Sequence, residues 1–340
     1  MMAKKRSTML EVARLAGVSV GTVSAIVNNS HSVRSRLRER VEEAMRVLDY
    51  HPNHIARSLK TNRSYTVGMI IPDVTNPFFT DVMRGVEDTA RAGGYSVILC
   101  NSNEDPAQER THLSTLFARR VDGILLAPTD GHAAEDRLTH RRFPIVFFDR
   151  IPTGFRGQAV VAENFEAAYA ATRHLIELQH QRIAIITGKL DLRNGIDRLE
   201  GYRKAMQEAH LPIYDEYLQR GDFQLESGYE RGLRLLTLAH PPTAIFCCNN
   251  KMTLGLMRAL AELQVPCPQK VSILGFDDFD WASSFRPKLT TVAQPTFEMG
   301  KRAMELLMRN IEASEESAEE VLIALPAELR IRESTAPPSS

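Results

Sequence analysis

In the first fifty residues apolar positions recur at helical spacing. Leu10, Val12, Ala13 and Ala16, followed by Val18, Val23, Ile26 and Val27, would face one another if two short helices met across a tight turn. Gly17 sits where that turn needs permissive backbone. Thr8 and Ser19 stand at the two helix starts, where a side-chain oxygen accepts from free N–H groups of the first turn. A third helix is predicted over Ser35 to Asp49, with Leu37, Val41, Ala44, Met45 and Leu48 as its apolar stripe. Pro52 is well placed for the first turn of a segment reaching Lys60, which is too short to be stable as a free helix.

From Tyr65 the texture changes to apolar runs of strand length alternating with helical stretches. Strands are predicted at Val67–Ile71, Ser96–Leu99, Gly123–Ala127, Ile145–Phe148, Ile183–Thr187, Ala244–Cys247 and Val271–Phe276. Helices are predicted near Pro77–Ala92, Pro106–Arg119, Asn164–Gln179, Gly195–Ala209, Ser227–Leu238, Lys251–Leu263 and Glu298–Ile311. This alternation argues for parallel sheets with helices on both faces. There are too many units for one ordinary sheet, and a break near Val160–Asn164 predicts two similar lobes.

Composition sharpens the picture in one place. Hydrophobic residues at 43% and charged residues at 25% are ordinary for a globular chain. Residues 1–63, however, hold 12 Lys and Arg against 5 Asp and Glu, while the whole chain of 340 residues holds 42 of each. A basic arm on an acidic body suits a module that seeks phosphate. Two short helices around a glycine turn then read as a helix-turn-helix, whose second helix enters the major groove. The alternative is an ordinary helical hairpin. Ser19, Thr22 and Ser24 are small hydroxyls suited to phosphate contact. Val20 fits a thymine methyl, whereas Gly21 and Ala25 read little by hydrogen bonding, so base specificity is unassigned. Arg34, Arg36, Arg38 and Arg40 crowd the start of the third helix, where its dipole disfavours cations unless a phosphate lies nearby.

The basic start Met1–Arg6 is followed by no apolar signal core, and no stretch approaches the ~20 apolar residues of a membrane span, so a cytoplasmic protein with no membrane partner is expected. Cys100, Cys247, Cys248 and Cys267 show no CxxC spacing and read as core thiols rather than a metal site. No cofactor is expected. The chain has neither G-x-G-x-x-G nor G-x-x-x-x-G-K-[ST], and Gly188-Lys189 lacks the glycine five residues earlier.

Ligands of open parallel sheets sit at the carboxyl ends of the strands. The residues there are Asp73 to Phe79, Asp149-Arg150, Arg193, Asn194 and Arg198, Asn249-Asn250, and Asp277-Asp278. Adjacent Phe78 and Phe79 are not both expected to face the core, leaving at least one to stack on a ring. Arg, Asp and Asn converging with aromatics suit a polyol or a heterocycle. Asn250 and Asp278 read equally well as N-caps of the elements that follow.

The string Glu11-Val12-Ala13-x-x-Ala16-Gly17-Val18-Ser19, then Thr22-Val23-Ser24, Asn28, and Tyr50-x-Pro52-Asn53-x-x-Ala56-Arg57-Ser58-Leu59 resembles the DNA-binding headpiece of the lactose-repressor (LacI) family of bacterial transcription regulators. The resemblance implies an all-α headpiece at 1–50 and a hinge helix and linker at 51–64. It implies a periplasmic-binding-protein-like core of two doubly wound parallel-sheet lobes, crossed by three strands. One lobe would span 65–162 plus about 292–320, the other 163–291 plus about 321–333, and 334–340 reads as a disordered tail.

Operator contact would fall to Thr8, Ser19, Val20, Gly21, Thr22, Ser24, Ala25, Asn28, Arg34, Asn53, Ala56, Arg57 and Lys60, with Leu59 wedging between base pairs in the minor groove. Family effector positions fall on Phe78, Phe79, Arg198, Asn249 and Asp277, with Asp149 and Arg193 as less secure carry-overs. Phe223 falls on the aromatic stacking position of purine-responsive members. The family usually has Asn-Asp where this chain has Asn249-Asn250, and Ala where it has Thr253.

The implied function is a homodimeric repressor controlled by a sugar, a sugar acid or a purine. The rivals are a binding protein without a DNA role, which leaves residues 1–60 idle, and a carbohydrate or nucleotide enzyme built on Asp277-Asp278.

Overall fold

The computed structural model describes residues 7–27, 34–50, 63–130, 143–152, 155, 157–313 and 320–339. It divides into two units, 1–64 and 65–340. The segment from Pro52 to Lys60, and with it Asn53, Ala56, Arg57, Leu59 and Lys60, lies outside the described residues, as does Asn28.

The first unit holds three helices, α1 (Met9–Ala16), α2 (Val20–Val27) and α3 (Ser35–Val47). Val12, Ala13, Ala16, Val23, Ile26, Val41 and Ala44 form its core, with Val18, Val27, Met45 and Leu48 packed beside them. Leu10 is half exposed instead. It lies two positions from Val12, and two residues turn a helix by about 200°. Local signals close each end. Thr8 caps α1 in a reciprocal box with Glu11. Ser19 Oγ accepts from Thr22 N at 3.1 Å. Gly17 takes a left-handed φ of 62°, and the Arg40 guanidinium donates to Ala16 O at 2.6 Å. Arg40 therefore caps the end of α1 through its Nη2.

The second unit carries two six-stranded sheets. The first runs in the order β11-β5-β4-β3-β1-β2, built from β1 (Thr66–Ile71), β2 (Ser96–Asn101), β3 (Gly123–Leu126), β4 (Ile145–Phe148), β5 (Gln158–Ala162) and β11 (Val321–Leu325). The second runs β12-β10-β9-β8-β6-β7, built from β6 (Ile183–Thr187), β7 (Leu218–Arg220), β8 (Ala244–Cys247), β9 (Ser272–Phe276), β10 (Thr290–Ala293) and β12 (Glu328–Arg330). All pairings are parallel except that of β10 with β12.

The crossover helices are α4 (Pro77–Ala92), α5 (Pro106–Ala118), α6 (Asn164–Glu177), α7 (Arg193–Glu208), α8 (Leu225–Leu236), α9 (Asn250–Glu262) and α10 (Thr296–Glu312). Strands buried on both faces read as continuous apolar runs, which is why β1, β3, β4, β6, β8 and β9 were visible in the sequence. α10 returns to the first lobe and packs so closely on α4 that a Cβ at Gly300 would lie 2.0 Å from Val82 O.

Two boundaries differ from expectation. Val321–Leu325 pairs with β5 in the first lobe, and only the segment from Glu328 onward joins the second. The chain thus passes between lobes after β5, after β10 and after β11. The tail is also held. Ser334 is buried, donates to Ile273 O at 2.6 Å and accepts from Thr290 N at 2.7 Å. His180 Nε2 lies 2.9 Å from Ala336 O.

Candidate functional site

Both lobes share the strand order 2-1-3-4-5, so both place their ligand-facing loops at carboxyl strand ends, beside the point where the order reverses. A narrow cleft lies there, lined by Asn76, Phe78, Phe79, Asp149, Arg150, Asn194, Arg198, Phe223, Asn249, Asp277 and Gln294. Seven of the eight expected residues, Phe78, Phe79, Asp149, Arg198, Phe223, Asn249 and Asp277, meet in it.

Arg193 does not. Its side chain is largely exposed and pairs with Asp197 at 2.7 Å. Residues 193 and 198 are five apart on α7, about 140° around the helix, so both cannot face inward. Asn194, four residues from Arg198, takes the inward place. Phe78 and Phe79 are both buried in the first lobe's core, in T-shaped contact at 5.0 Å, against the expectation that adjacent aromatics would not both face it, and both also border the cleft. Asp278 faces away from the cleft. It binds Arg332 through two 2.8 Å contacts and Arg330 through one of 2.6 Å. Asn249, not Asn250, caps α9.

The charged groups are held from behind. Arg198 donates Nε to Asn164 at 2.9 Å and Nη1 to Cys248 O at 2.6 Å, and its guanidinium stacks 3.6 Å from the Phe276 centroid. Arg150 pairs with both oxygens of Glu104 at 2.9 and 3.0 Å and covers the Phe223 ring at 4.6 Å. Its buried Nε lies 3.5 Å from Asp149 Oδ2, and neither this Nε nor Oε1 of Gln294 has a hydrogen-bond partner among the described residues. Gln294 Nε2 donates to Asp277 Oδ1 at 2.5 Å.

Burial pushes the Asp149 carboxyl up to about 6, against the pull of Arg150 and Arg198. Burial also raises Asp277, opposed by Arg198. Glu104 sits below the usual range because Arg150 and Lys189 overcome its burial. Asp149, Phe223 and Asp277 adopt left-handed φ of 61°, 72° and 73°. For a bulky Phe that is uncommon backbone, of the kind concentrated where loops are shaped by a ligand site. Arg150, Asn194 and Asn76 were visible as strand-end residues. Gln294 was missed because β10 is a four-residue strand of threonines, valine and alanine.

In the headpiece, Ser19, Val20 and Gly21 are exposed at the start of α2, and Thr22, Ser24 and Ala25 are half-buried on the same helix. Thr8 and Arg34 are exposed at the starts of α1 and α3. Ser19 is already engaged as a cap, with its hydroxyl 2.9 Å from that of Thr22.

Residues 8–53 match the family of bacterial regulatory proteins, lacI family, and residues 172–335 match the periplasmic binding protein-like domain. The ribose operon repressor of Escherichia coli (strain K12) is 39% identical over 307 residues, covering 90% of this chain and 93% of the relative. The HTH-type transcriptional repressor PurR of Haemophilus influenzae (strain PittEE) is 37% identical over 333 residues, covering 96% and 98%. The solved lac repressor dimer bound to operator and the anti-inducer ONPF superposes with a TM-score of 0.84 at 28% identity, covering 98% of this chain and all of that one.

Proposed function

Because the chain belongs to the LacI family of bacterial regulators, we propose that it is a repressor released or engaged by a pentose of the ribose class, bound in the cleft between the lobes. As a member of that family it is a ligand-controlled DNA-binding transcriptional repressor, not an enzyme, and its partners are operator DNA, a small effector and a second copy of itself. Among the described residues no single helix is long and apolar enough to cross a membrane.

The observation that carries the sugar reading is the convergence of Arg150, Arg198, Asp149, Asp277 and four side-chain amides around Phe78, Phe79 and Phe223. A sugar hydroxyl donates once and accepts twice, so a ring of hydroxyls needs donors and carboxylates interleaved, with an apolar wall for its C–H face. A purine would need a free aromatic face, and Arg150 covers that of Phe223. The similarity to a ribose operon repressor supports the same choice.

Thermal unfolding with D-ribose, other pentoses, hexoses, sugar acids, hypoxanthine and guanine tests it. Ribose should raise the midpoint most, by mass action on the folded state. A purine hit with no pentose response would overturn the sugar assignment.

For the operator we assign direct contact to Thr8, Ser19, Val20, Gly21, Thr22, Ser24, Ala25 and Arg34. We keep the hinge reading for residues 51–64. Leu59→Ala should weaken operator binding while leaving effector binding unchanged, and equal operator affinity would remove the wedge role from Leu59.

A further inference from the structure

The Asn250 departure from the family pattern has a counterpart in the contacts between the lobes. The loop after β1 in the first lobe carries Asp73, Thr75 and Asn76, and the first turn of α9 in the second carries Asn250 and Lys251. Asn250 Nδ2 donates to Asn76 Oδ1 at 2.8 Å, with both residues buried. Lys251 Nζ reaches Asp73 Oδ2 at 2.5 Å and Thr75 Oγ1 at 3.1 Å. Two consecutive residues of one lobe therefore grip one loop of the other.

The polarity of this grip is fixed by backbone on both sides. Asn76 is the N-cap of α4, and its Oδ1 accepts from Phe78 N at 3.0 Å. Turning the amide over would set an NH2 against that N–H, so position 76 offers an acceptor across the gap and its partner must donate. Asn250 Oδ1 is likewise occupied by Lys251 N at 2.6 Å, leaving Nδ2 to point outward. Next to it, Asn250 N faces Asp277 Oδ2 at 3.3 Å. A carboxylate at 250 would bring a second buried negative charge beside Asp277 and an acceptor against an acceptor. An amide closes the lobes without either conflict.

We propose that Asn250 and Lys251 form a clasp on the Asp73–Asn76 loop that holds the two lobes closed before any effector enters, with Asn250 as its positioning residue. The idea deepens the effector reading of the cleft, because a resting closed state sets how readily the cleft opens to a ligand. Closure itself is measurable without one.

Lobe opening can be followed by amide hydrogen exchange on the effector-free, full-length chain. Arg193 N donates to Ile151 O at 3.0 Å between the lobes and reports opening. Ile245, inside β8, reports global unfolding. Asn250→Ala should speed exchange at Arg193 about five- to tenfold, the effect of losing one buried hydrogen bond, and leave Ile245 unchanged. Lys251→Met should act in the same direction. Asn76→Ala should also speed Arg193, and the Asn76→Ala, Asn250→Ala double variant should be no faster than the faster single variant, since both remove one bond.

Unchanged Arg193 exchange in Asn250→Ala, multiplied effects in the double variant, or equal acceleration at Ile245 would each overturn the clasp. A failure of every sugar and purine to bind would overturn the effector reading and leave the exchange result standing.

Discussion

The headpiece and the cleft solve opposite problems with the same side-chain chemistry. The headpiece buries seven apolar residues and keeps its charge outside, and its geometry comes from short-range devices: the Thr8–Glu11 box, the Ser19 cap, the Gly17 turn and the Arg40 clamp. The cleft buries charge itself. Arg150, Arg198, Asp149 and Asp277 are all nearly sealed from solvent, with Arg150 held by Glu104, Arg198 by Asn164 and the Cys248 carbonyl, Asp277 by Gln294, and Asp149 beside Arg150 at 3.5 Å. Local devices make a small rigid reading head that works on a partner outside it. Buried charge makes a site whose polar groups are already desolvated when a ligand arrives, at the cost of stability in the body that carries it.

The sharpest way to break this contrast is at Arg198. Arg198→Ala leaves Asn164 and the Cys248 carbonyl without their donor, and should cost roughly 3 kcal/mol of core stability in denaturant unfolding and abolish effector binding. Operator affinity of the effector-free protein at low temperature should change little.

Next is Glu109, buried in α5, with Oε2 accepting from Thr129 N at 2.8 Å and Oε1 without a hydrogen-bond partner among the described residues. Burial, opposed mainly by the Thr129 hydrogen bonds, with Asp130 raising and Arg110 lowering it, pushes its carboxyl up to about 7 from an ordinary 4.5. The folded state keeps a proton that the unfolded chain releases, so stability falls as pH rises from 4.5 to 7 and then levels. Glu109→Gln should flatten that fall. It should exceed the parent by on the order of 2 kcal/mol at pH 8 and match it near pH 4, as read from urea midpoints. Parallel pH profiles for the two proteins would reject this.

On the headpiece side, Gly17→Ala places a Cβ 2.7 Å from Arg40 Nη2 on left-handed backbone. It should cost about 1–2 kcal/mol of headpiece stability and lower operator affinity while sugar binding is untouched. The smallest effect belongs to Thr8→Ala, about 1 kcal/mol through the lost cap, seen in the headpiece transition alone. A matching loss in the core transition for either headpiece variant would show that the two regions are not independent.

The same contrast explains what the sequence disclosed. The helix-turn-helix was legible because its caps, turn and apolar spacing lie within twenty residues of one another. The cleft draws on loops after β1, β4, β6, β7, β8, β9 and β10, so the residue pattern disclosed those at recognised strand ends, while Phe223, after the unrecognised β7, came only from the family resemblance. Asp149 and Asp277 follow long apolar runs and were seen. Gln294 follows a short strand and was not. The end of β5 read as a lobe boundary because the chain does leave the lobe there, although β5 still awaits β11 at its open edge. Arg193 was a matter of helical phase, which residue type does not reveal. β11 and β12 are short and half exposed, and their partners are fixed by strands more than thirty residues away.

The interleaving of the lobes also has a consequence in time. A ribosome delivers the chain from its N-terminus. The headpiece can assemble once some fifty residues have emerged, because nothing in its core comes from farther along. The first lobe cannot. Its α10 and β11 are among the last segments made, after the entire second sheet except β12. Until then α4 lacks its packing partner and β5 lies open at an edge, a template for stray pairing. The part of the molecule made first can complete its own core before the part that governs it has a finished sheet.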